Sequence, residues 1–356
     1  MFYLQFQNRQ FSTLEDFQNI AEDYPDFLLE ALQFCRDWQS GEAVFQQKTS
    51  GSTGAPKVLS IHRNQMQASA RATGEFFKVN PRNLLLCCLN PAFIAGKMML
   101  VRAMEWKAPI LLQAPQADPL KDLNSDQIPD FIAMVPLQVQ ESLKNPKSRA
   151  LLQKVSHLII GGAASNPQLR EDILKYNLKA YQTYGMTETV SHIALAKITE
   201  QELIYYTLPG VEIGLDERET LWVKGPMSLG NRIQTNDQVK LISDRSFIWL
   251  GRVDFVINSG GIKLHPELLE QRMEKSIHTH FPSSRFFLAG IPDPKFGEKM
   301  VLVLETEMIE IKKAKLLQEE LKLLFQPYEL PKDILTVNKF QETPSGKVDR
   351  IRSLPL

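Results

Sequence analysis

The chain has 356 residues, enough for more than one domain, and 43% of them are hydrophobic, which excludes a globally disordered chain. Lys plus Arg number 41 and Asp plus Glu 41, so the net charge is zero and nothing points to a general nucleic-acid or anionic-membrane binder. The three cysteines, Cys35, Cys87 and Cys88, make no CxxC pattern, so zinc, redox and disulfide frameworks are unsupported and a reduced, cytoplasmic setting is expected.

The N-terminus, MFYLQFQNRQFS, lacks a basic stretch followed by an apolar run, so no signal peptide is expected. The first forty residues read as helical. Ser12 is expected to cap a helix with Glu15 reaching back, and apolar residues recur at helical spacing over 27–38. Short apolar strands are then expected at 44–46, 58–61, 84–89, 109–112, 131–135 and 155–160, with helical stretches between most of them and Asn64 as a helix cap. The apolar runs 84–89 and 158–160 are too short to span a bilayer. The alternation predicts an α/β fold with a largely parallel sheet.

From 212 to 250 closely spaced strands and turn residues suggest a smaller β-rich subdomain. Gly251-Arg252-Val253-Asp254 reads as a boundary, dividing the chain into a large domain over 1–251 and a small α+β domain over 252–356. The second part shows a Gly260-Gly261 turn, a helix opening at Pro266, strands near 286–289 and 301–305, and a charged amphipathic helix over 310–324.

The clearest chemical signal is Thr49-Ser50-Gly51-Ser52-Thr53-Gly54-Ala55-Pro56-Lys57. Glycines let backbone N–H groups turn toward one anion, four hydroxyls add donors, and Lys57 adds charge, which suits a polyphosphate. It is not a Walker A loop, because a proline precedes the lysine and no Ser or Thr follows it. Tyr184-Gly185-Met186-Thr187-Glu188 places a ring that can stack on a base beside a hydroxyl for phosphate and a carboxylate for Mg²⁺. Taken alone, it reads equally as a turn at a strand end.

The nine-residue loop resembles the phosphate loop of the adenylate-forming superfamily of acyl- and aryl-CoA ligases, peptide-synthetase adenylation domains and luciferases. Six further stretches resemble that family in the same chain order. Tyr184 to Glu188 is similar to its Y-G-x-T-E motif, and Gly162 and Ala163 lie in a stretch like the one lining its adenine and acyl pockets. Asp237 resembles the ribose-binding aspartate, with Asn236 where the family usually has glycine. Gly251-Arg252-x-Asp254 resembles the inter-domain junction, where the arginine contacts ribose and the aspartate is the hinge. Gly260 and Gly261 resemble the loop offered to the pantetheine arm, and Lys347 sits in a string like the one carrying the catalytic lysine.

The resemblance implies an adenylate-forming fold with a large α/β domain and a small mobile α+β domain. It implies an acid–thiol ligase using ATP, Mg²⁺ (at Glu188) and coenzyme A on a small-molecule carboxylic acid. Thr187, Glu188 and Lys347 would be catalytic. Residues Thr49, Ser50, Gly51, Ser52, Thr53, Gly54, Lys57, Gly162, Tyr184, Gly185, Asp237 and Arg252 would bind ATP.

The loop at Thr49 lies much nearer the start than is usual in the family, which reads as a shortened large domain. Its bare sheet is expected to be covered by the helices over 12–38 or by a second subunit, as in a homodimer. Ile94 stands where relatives often have histidine. The short form and the strings 91–102 and 184–192 are most similar to the o-succinylbenzoate–CoA ligases of menaquinone (vitamin K2) biosynthesis. That acid has a second, non-reacting carboxylate, and Lys97, Arg102 and His192, with Ala163 in the acyl pocket, are its candidate partners. Other aryl- or fatty-acyl-CoA ligases, a carrier-protein loader and a non-catalytic nucleotide binder remain the alternatives.

Overall fold

The computed structural model describes residues 1–355 apart from 22, 49–57, 125, 283 and 343–347. The chain opens with β1 (Tyr3–Phe6), β2 (Arg9–Phe11), α1 (Leu14–Gln18) and α2 (Asp26–Gln39). The antiparallel pair β3 (Val44–Lys48) and β4 (Val58–His62) precedes α3 (Arg63–Phe77). An alternating run follows: β5 (Leu85–Cys87), α4 (Ile94–Trp106), β6 (Pro109–Leu112), β7 (Phe131–Met134), α5 (Pro136–Lys144), α6 (Pro146–Leu152), β8 (His157–Ile160), α7 (Pro167–Lys175) and β9 (Ala180–Gly185). Strands β10 (His192–Lys197), β11 (Ile204–Thr207), β12 (Glu212–Leu215), β13 (Thr220–Lys224), β14 (Ile233–Ser243) and β15 (Ser246–Arg252) come next. The rest comprises β16 (Ile257–Ser259), β17 (Ile262–Leu264), α8 (Pro266–His280), β18 (Phe286–Asp293), β19 (Gly297–Glu305), α9 (Ile311–Leu324) and β20 (Asp333–Val337).

Among the described residues, 13 strands form one sheet in the order β12-β13-β14-β15-β11-β10-β9-β8-β7-β5-β6-β1-β2. From β9 to β1 the neighbours are parallel. The central strands β5, β6 and β7 read as unbroken apolar runs because helices cover both faces. Side chains alternate between the two faces: Leu85, Cys87, Phe131 and Ala133 join one core with α2, α3 and α4. Leu86, Cys88, Ile132 and Met134 join another with α5, α6 and α7. Fully burying a leucine such as Leu86 contributes about 1.5–3 kcal/mol, so these layers make a rigid frame for the strand ends.

Three local expectations need correction. The first residues are not all helical: Phe2, Leu4 and Phe6 alternate with Tyr3 and Gln5, and β1 extends the sheet parallel to β6. The cap of α1 is Thr13, not Ser12. The Thr13 hydroxyl accepts from the Asp16 amide at 3.2 Å, and the Asp16 carboxylate accepts from the Thr13 amide at 2.8 Å. Asn64 lies inside the first turn of α3, where His62 takes the cap position and Gln65 accepts from its amide at 2.9 Å. Helix α2 buries Leu28, Ala31, Leu32 and Trp38 in the first core, so one of the two expected covers for the sheet is this helix.

Strands β12 to β15 do not form a detached unit; β11 pairs with β15 and continues the main sheet. The turn at Val253–Phe255 separates β15 from a second sheet, β17-β16-β19-β18, with β20 parallel to β19. Helices α8 and α9 pack on one face of it through Met273, Ile277, Leu317 and Leu321. No helix among the described residues is long and apolar enough to cross a membrane.

Candidate active site

Strand order reverses beside β5: α4 leads from β5 to β6 on one side, and the chain then crosses back to β7 on the other. Open α/β sheets bind ligands in the crevice at such a switch point, outside the carboxyl ends of the strands. A cavity of about 250 Å³ lies there. Its walls include Leu89 after β5, Met134 and Val135 at the end of β7, and Gly161 and Gly162 after β8. Gly185, Met186, Thr187, Val190, Ser191 and His192 close it from the β9–β10 turn, and Arg102 reaches it from α4.

That turn depends on close backbone approach. Gly185 sits opposite His192, and a Cβ on it would lie 2.4 Å from the Ser191 carbonyl oxygen. Val190 has φ 67° and ψ −46°, and the Ser191 amide donates to the Thr189 carbonyl across it at 2.7 Å. This is a γ-turn with positive φ, a strained shape for a β-branched residue, and it lies against the cavity. Glu188 is exposed in the 3₁₀ turn Thr187–Thr189.

A second cluster sits at the end of β9. The Tyr184 hydroxyl donates to the Asp237 carboxylate at 2.6 Å, and burial, followed by the Asp237 charge, raises the phenol well above its ordinary pKa. Asp237 on β14 is the cross-strand partner of Arg252 on β15. Arg252 donates to Asp254 at 2.9 Å, and its backbone amide donates to Glu267 of α8 at 2.6 Å. Asn236 also reaches Asp254, at 3.4 Å. Tyr184, Asp237, Arg252 and Asp254 thus form one connected cluster across three strands and the following turn.

Arg102 is the unusual group. It is 2% exposed, and among the described residues no carboxylate pairs with it. Its Nη2 donates to Ser191 Oγ at 2.9 Å and lies 3.5 Å from His192 Nδ1; among the described residues Nη1 reaches only the Met99 sulfur and Nε has no partner. Burial lowers its pKa to about 10, which still leaves it charged at neutral pH. Lys97 does not join it. Five positions at ~100° each put the two side chains about 140° apart on α4, and Lys97 donates to Gln47 at 3.1 Å instead.

Gly162 lines the cavity with φ 83°, a backbone conformation that suits glycine, and the Ala163 carbonyl accepts from Gln182 at 3.1 Å. Gly260 and Gly261 form the turn between β16 and β17, away from the cavity walls. Thr49 to Gly54, Lys57 and Lys347 lie outside the described residues. The chain after Lys347 is anchored: Val348 bridges Glu342, and Arg350 holds Glu270 through two bonds of 2.7 and 2.8 Å. Sequence reasoning missed Ser191 and Thr73. Thr73 lies on the buried stripe of α3 with Met66, Ser69 and Ala70, and hydroxyls on so apolar a face were the available signal.

Among the described residues no group of three or more His, Cys, Asp or Glu could hold a metal. One exposed carboxylate at Glu188 fits Mg²⁺ delivered with a nucleotide, since that ion is usually held by one or two carboxylates plus phosphates.

Known proteins resemble this chain in sequence and in fold. The 2-succinylbenzoate–CoA ligase of Haemophilus influenzae is 27% identical over 277 residues, covering 72% of this chain and 58% of that protein. The Escherichia coli ligase of the same name is 23% identical over 305 residues, covering 82% and 64%. The chain therefore spans less than two thirds of the length of these relatives. Among solved structures, an acyl-CoA synthetase (AMP-forming)/AMP-acid ligase II-like protein from Dyadobacter fermentans is 37% identical, with TM-score 0.64 and coverage of 96% of this chain and 97% of that one. The o-succinylbenzoate CoA synthetase of Bacillus subtilis, in complex with its acyl-adenylate intermediate, shares the fold at TM-score 0.69 and 20% identity, covering 86% and 68%. Residues 9–227, more than half of the chain, match the family model of the AMP-binding enzymes. The switch-point cavity and the Tyr184–Asp237–Arg252 cluster fall in a chain that, by that match, belongs to the AMP-binding, adenylate-forming enzyme family.

Proposed function

We propose that this protein is an ATP-dependent, AMP-forming acid–thiol ligase whose acid carries a second anionic group, o-succinylbenzoate of menaquinone biosynthesis being the first candidate. The observation that carries the choice of acid is Arg102: a buried cation with no carboxylate partner among the described residues, at the wall of the switch-point cavity. A charge-assisted bond from a distal carboxylate would offset the cost of burying that guanidinium. The names of the relatives agree with such an acid. The Dyadobacter fermentans protein, which matches nearly end to end, carries only the general name.

In this reading Tyr184 packs on the adenine, and Asp237 and Arg252 hold the ribose hydroxyls. Thr49 to Gly54, Lys57 and Thr187 bind the phosphates. Glu188 would hold the Mg²⁺ delivered with the nucleotide, which would neutralise phosphate charge when bound. A carboxylate oxygen of the acid attacks the α-phosphorus, the bond to the bridging oxygen breaks, and pyrophosphate leaves. Lys347 stabilises the negative charge that develops there. The part of the chain from 252 onward then turns about Asp254 and brings Gly260 and Gly261 to the site. The thiolate of coenzyme A attacks the acyl carbonyl and AMP leaves with the carbon–oxygen bond's electron pair.

The test is ATP–pyrophosphate exchange with o-succinylbenzoate, benzoate and a straight-chain fatty acid, followed by addition of coenzyme A. Exchange and thioester with o-succinylbenzoate support the reading. Exchange with the fatty acid alone overturns the choice of acid, and no exchange with any acid overturns the activity.

A further inference from the structure

We propose that His192 is a positioning residue for Arg102: a neutral imidazole, protonated on Nε2, whose Nδ1 lone pair aims the guanidinium and so sets the preference for acids with a distal anionic group. The inference rests on the reading of Arg102 as the seat of that group.

The polarity of the network follows from which atoms can donate. A guanidinium only donates. Arg102 Nη2 lies 3.5 Å from His192 Nδ1 and donates to Ser191 Oγ at 2.9 Å. Ser191 Oγ, having accepted from the arginine, lies 3.4 Å from the same Nδ1 and has its own hydrogen to give. Both routes end on Nδ1 as an acceptor. The ring is buried, and that burial, then the adjacent Arg102 charge, holds its pKa well below the ordinary value. A neutral ring with its lone pair on Nδ1 carries its proton on Nε2.

That proton has a receiver. Nε2 lies 3.2 Å from Thr73 Oγ1. The Thr73 hydroxyl donates its hydrogen to the Ser69 carbonyl at 2.9 Å, which leaves its oxygen free to accept. Donation therefore runs one way: Arg102 toward His192 directly or through Ser191, His192 to Thr73, Thr73 to the turn of α3. One face of the guanidinium is tied to this chain. Among the described residues, the donors left over are Nε, which has no partner, and Nη1, which meets only the Met99 sulfur. A carboxylate oxygen of an occupant can accept from Nη1, whereas Nε, on the opposite side of the guanidinium and itself enclosed, does not share it.

The experiment compares o-succinylbenzoate with the analogue whose non-reacting carboxylate is an amide, by kcat/KM in ATP–pyrophosphate exchange. Parent protein is set beside His192→Met, His192→Gln, Thr73→Val and Arg102→Met. Losing one orienting bond to a charged group should lower the selectivity ratio roughly tenfold in His192→Met and severalfold in Thr73→Val. His192→Gln, whose amide oxygen can accept and whose nitrogen can donate, should restore most of it. The ¹⁵N ring signals of His192 should report the Nε2–H tautomer in the parent. A parent-like ratio in both His192→Met and Thr73→Val, with Arg102→Met losing selectivity, overturns this inference and leaves the seat at Arg102 intact. Unchanged selectivity in Arg102→Met overturns the seat and the inference together. An Nδ1–H tautomer or an imidazolium overturns the positioning role whatever the kinetics.

Discussion

Replacing Arg102 with methionine should make the protein more stable and worse at its reaction. Burial lowers the pKa of this group from its ordinary value to about 10. At ~1.4 kcal/mol per pH unit, the gap corresponds to about 3 kcal/mol disfavouring the folded state at neutral pH. The sign follows from proton binding. A base whose folded pKa is lowered penalises the fold at every pH below the folded value, and the penalty fades as pH rises from about 10 toward the ordinary guanidinium value. Methionine fills similar length beside Met99 and Phe131 and removes the charge. The bond to Ser191 is lost, at about 1–2 kcal/mol, so the net gain should be about 1–2 kcal/mol, read by urea denaturation at pH 7. Loss of the pair with a distal carboxylate should lower kcat/KM for o-succinylbenzoate by about 2–4 kcal/mol, roughly 30- to 1000-fold. The reasoning is refuted if Arg102→Met is less stable than the parent by more than about 1 kcal/mol while keeping its kcat/KM.

Tyr184→Phe removes the 2.6 Å bond to Asp237 and should raise the KM for ATP roughly tenfold with a smaller change in kcat, measured by exchange at varied ATP. Glu305 is held at about 2, first by the bonds from Arg285, so its contribution to stability is present above its ordinary 4.5 and is lost as pH falls from there toward 2. Acid denaturation of Glu305→Gln should accordingly be flatter between about pH 4.5 and 2 than that of the parent. Lys347→Ala should abolish adenylation yet retain thioester formation from supplied acyl-adenylate; equal loss of both half-reactions would contradict the hinge scheme.

The parallel core was legible because strands buried on both faces are apolar throughout: 131–134 and 157–160 could only be interior strands. The N-terminal strand was harder. Its alternation spans only Phe2 to Phe6, too short to outweigh the helical stretch behind it, and its partner β6 lies a hundred positions away. The cap of α1 moved by one residue because two hydroxyls and two carboxylates overlap at the same spacing, and Asp16 rather than Glu15 reaches the free amides. Motif residues such as Tyr184, Asp237 and Arg252 were named from their strings, but strand register is what makes them neighbours. Arg102 and Lys97 looked interchangeable in sequence. Only the rotation of α4 separates a cation facing the cavity from one bonded to Gln47. Ser191 and Thr73 acquire meaning solely from the guanidinium and imidazole they touch.

The most direct measurement is a crystal structure of this protein with o-succinylbenzoyl-adenylate. The expected result is a nucleoside against Tyr184 and Asp237, with the non-reacting carboxylate in the switch-point cavity about 2.7–3.0 Å from the Arg102 guanidinium. A carboxylate facing solvent, with Arg102 still without an anionic partner, would contradict the assignment of the acid.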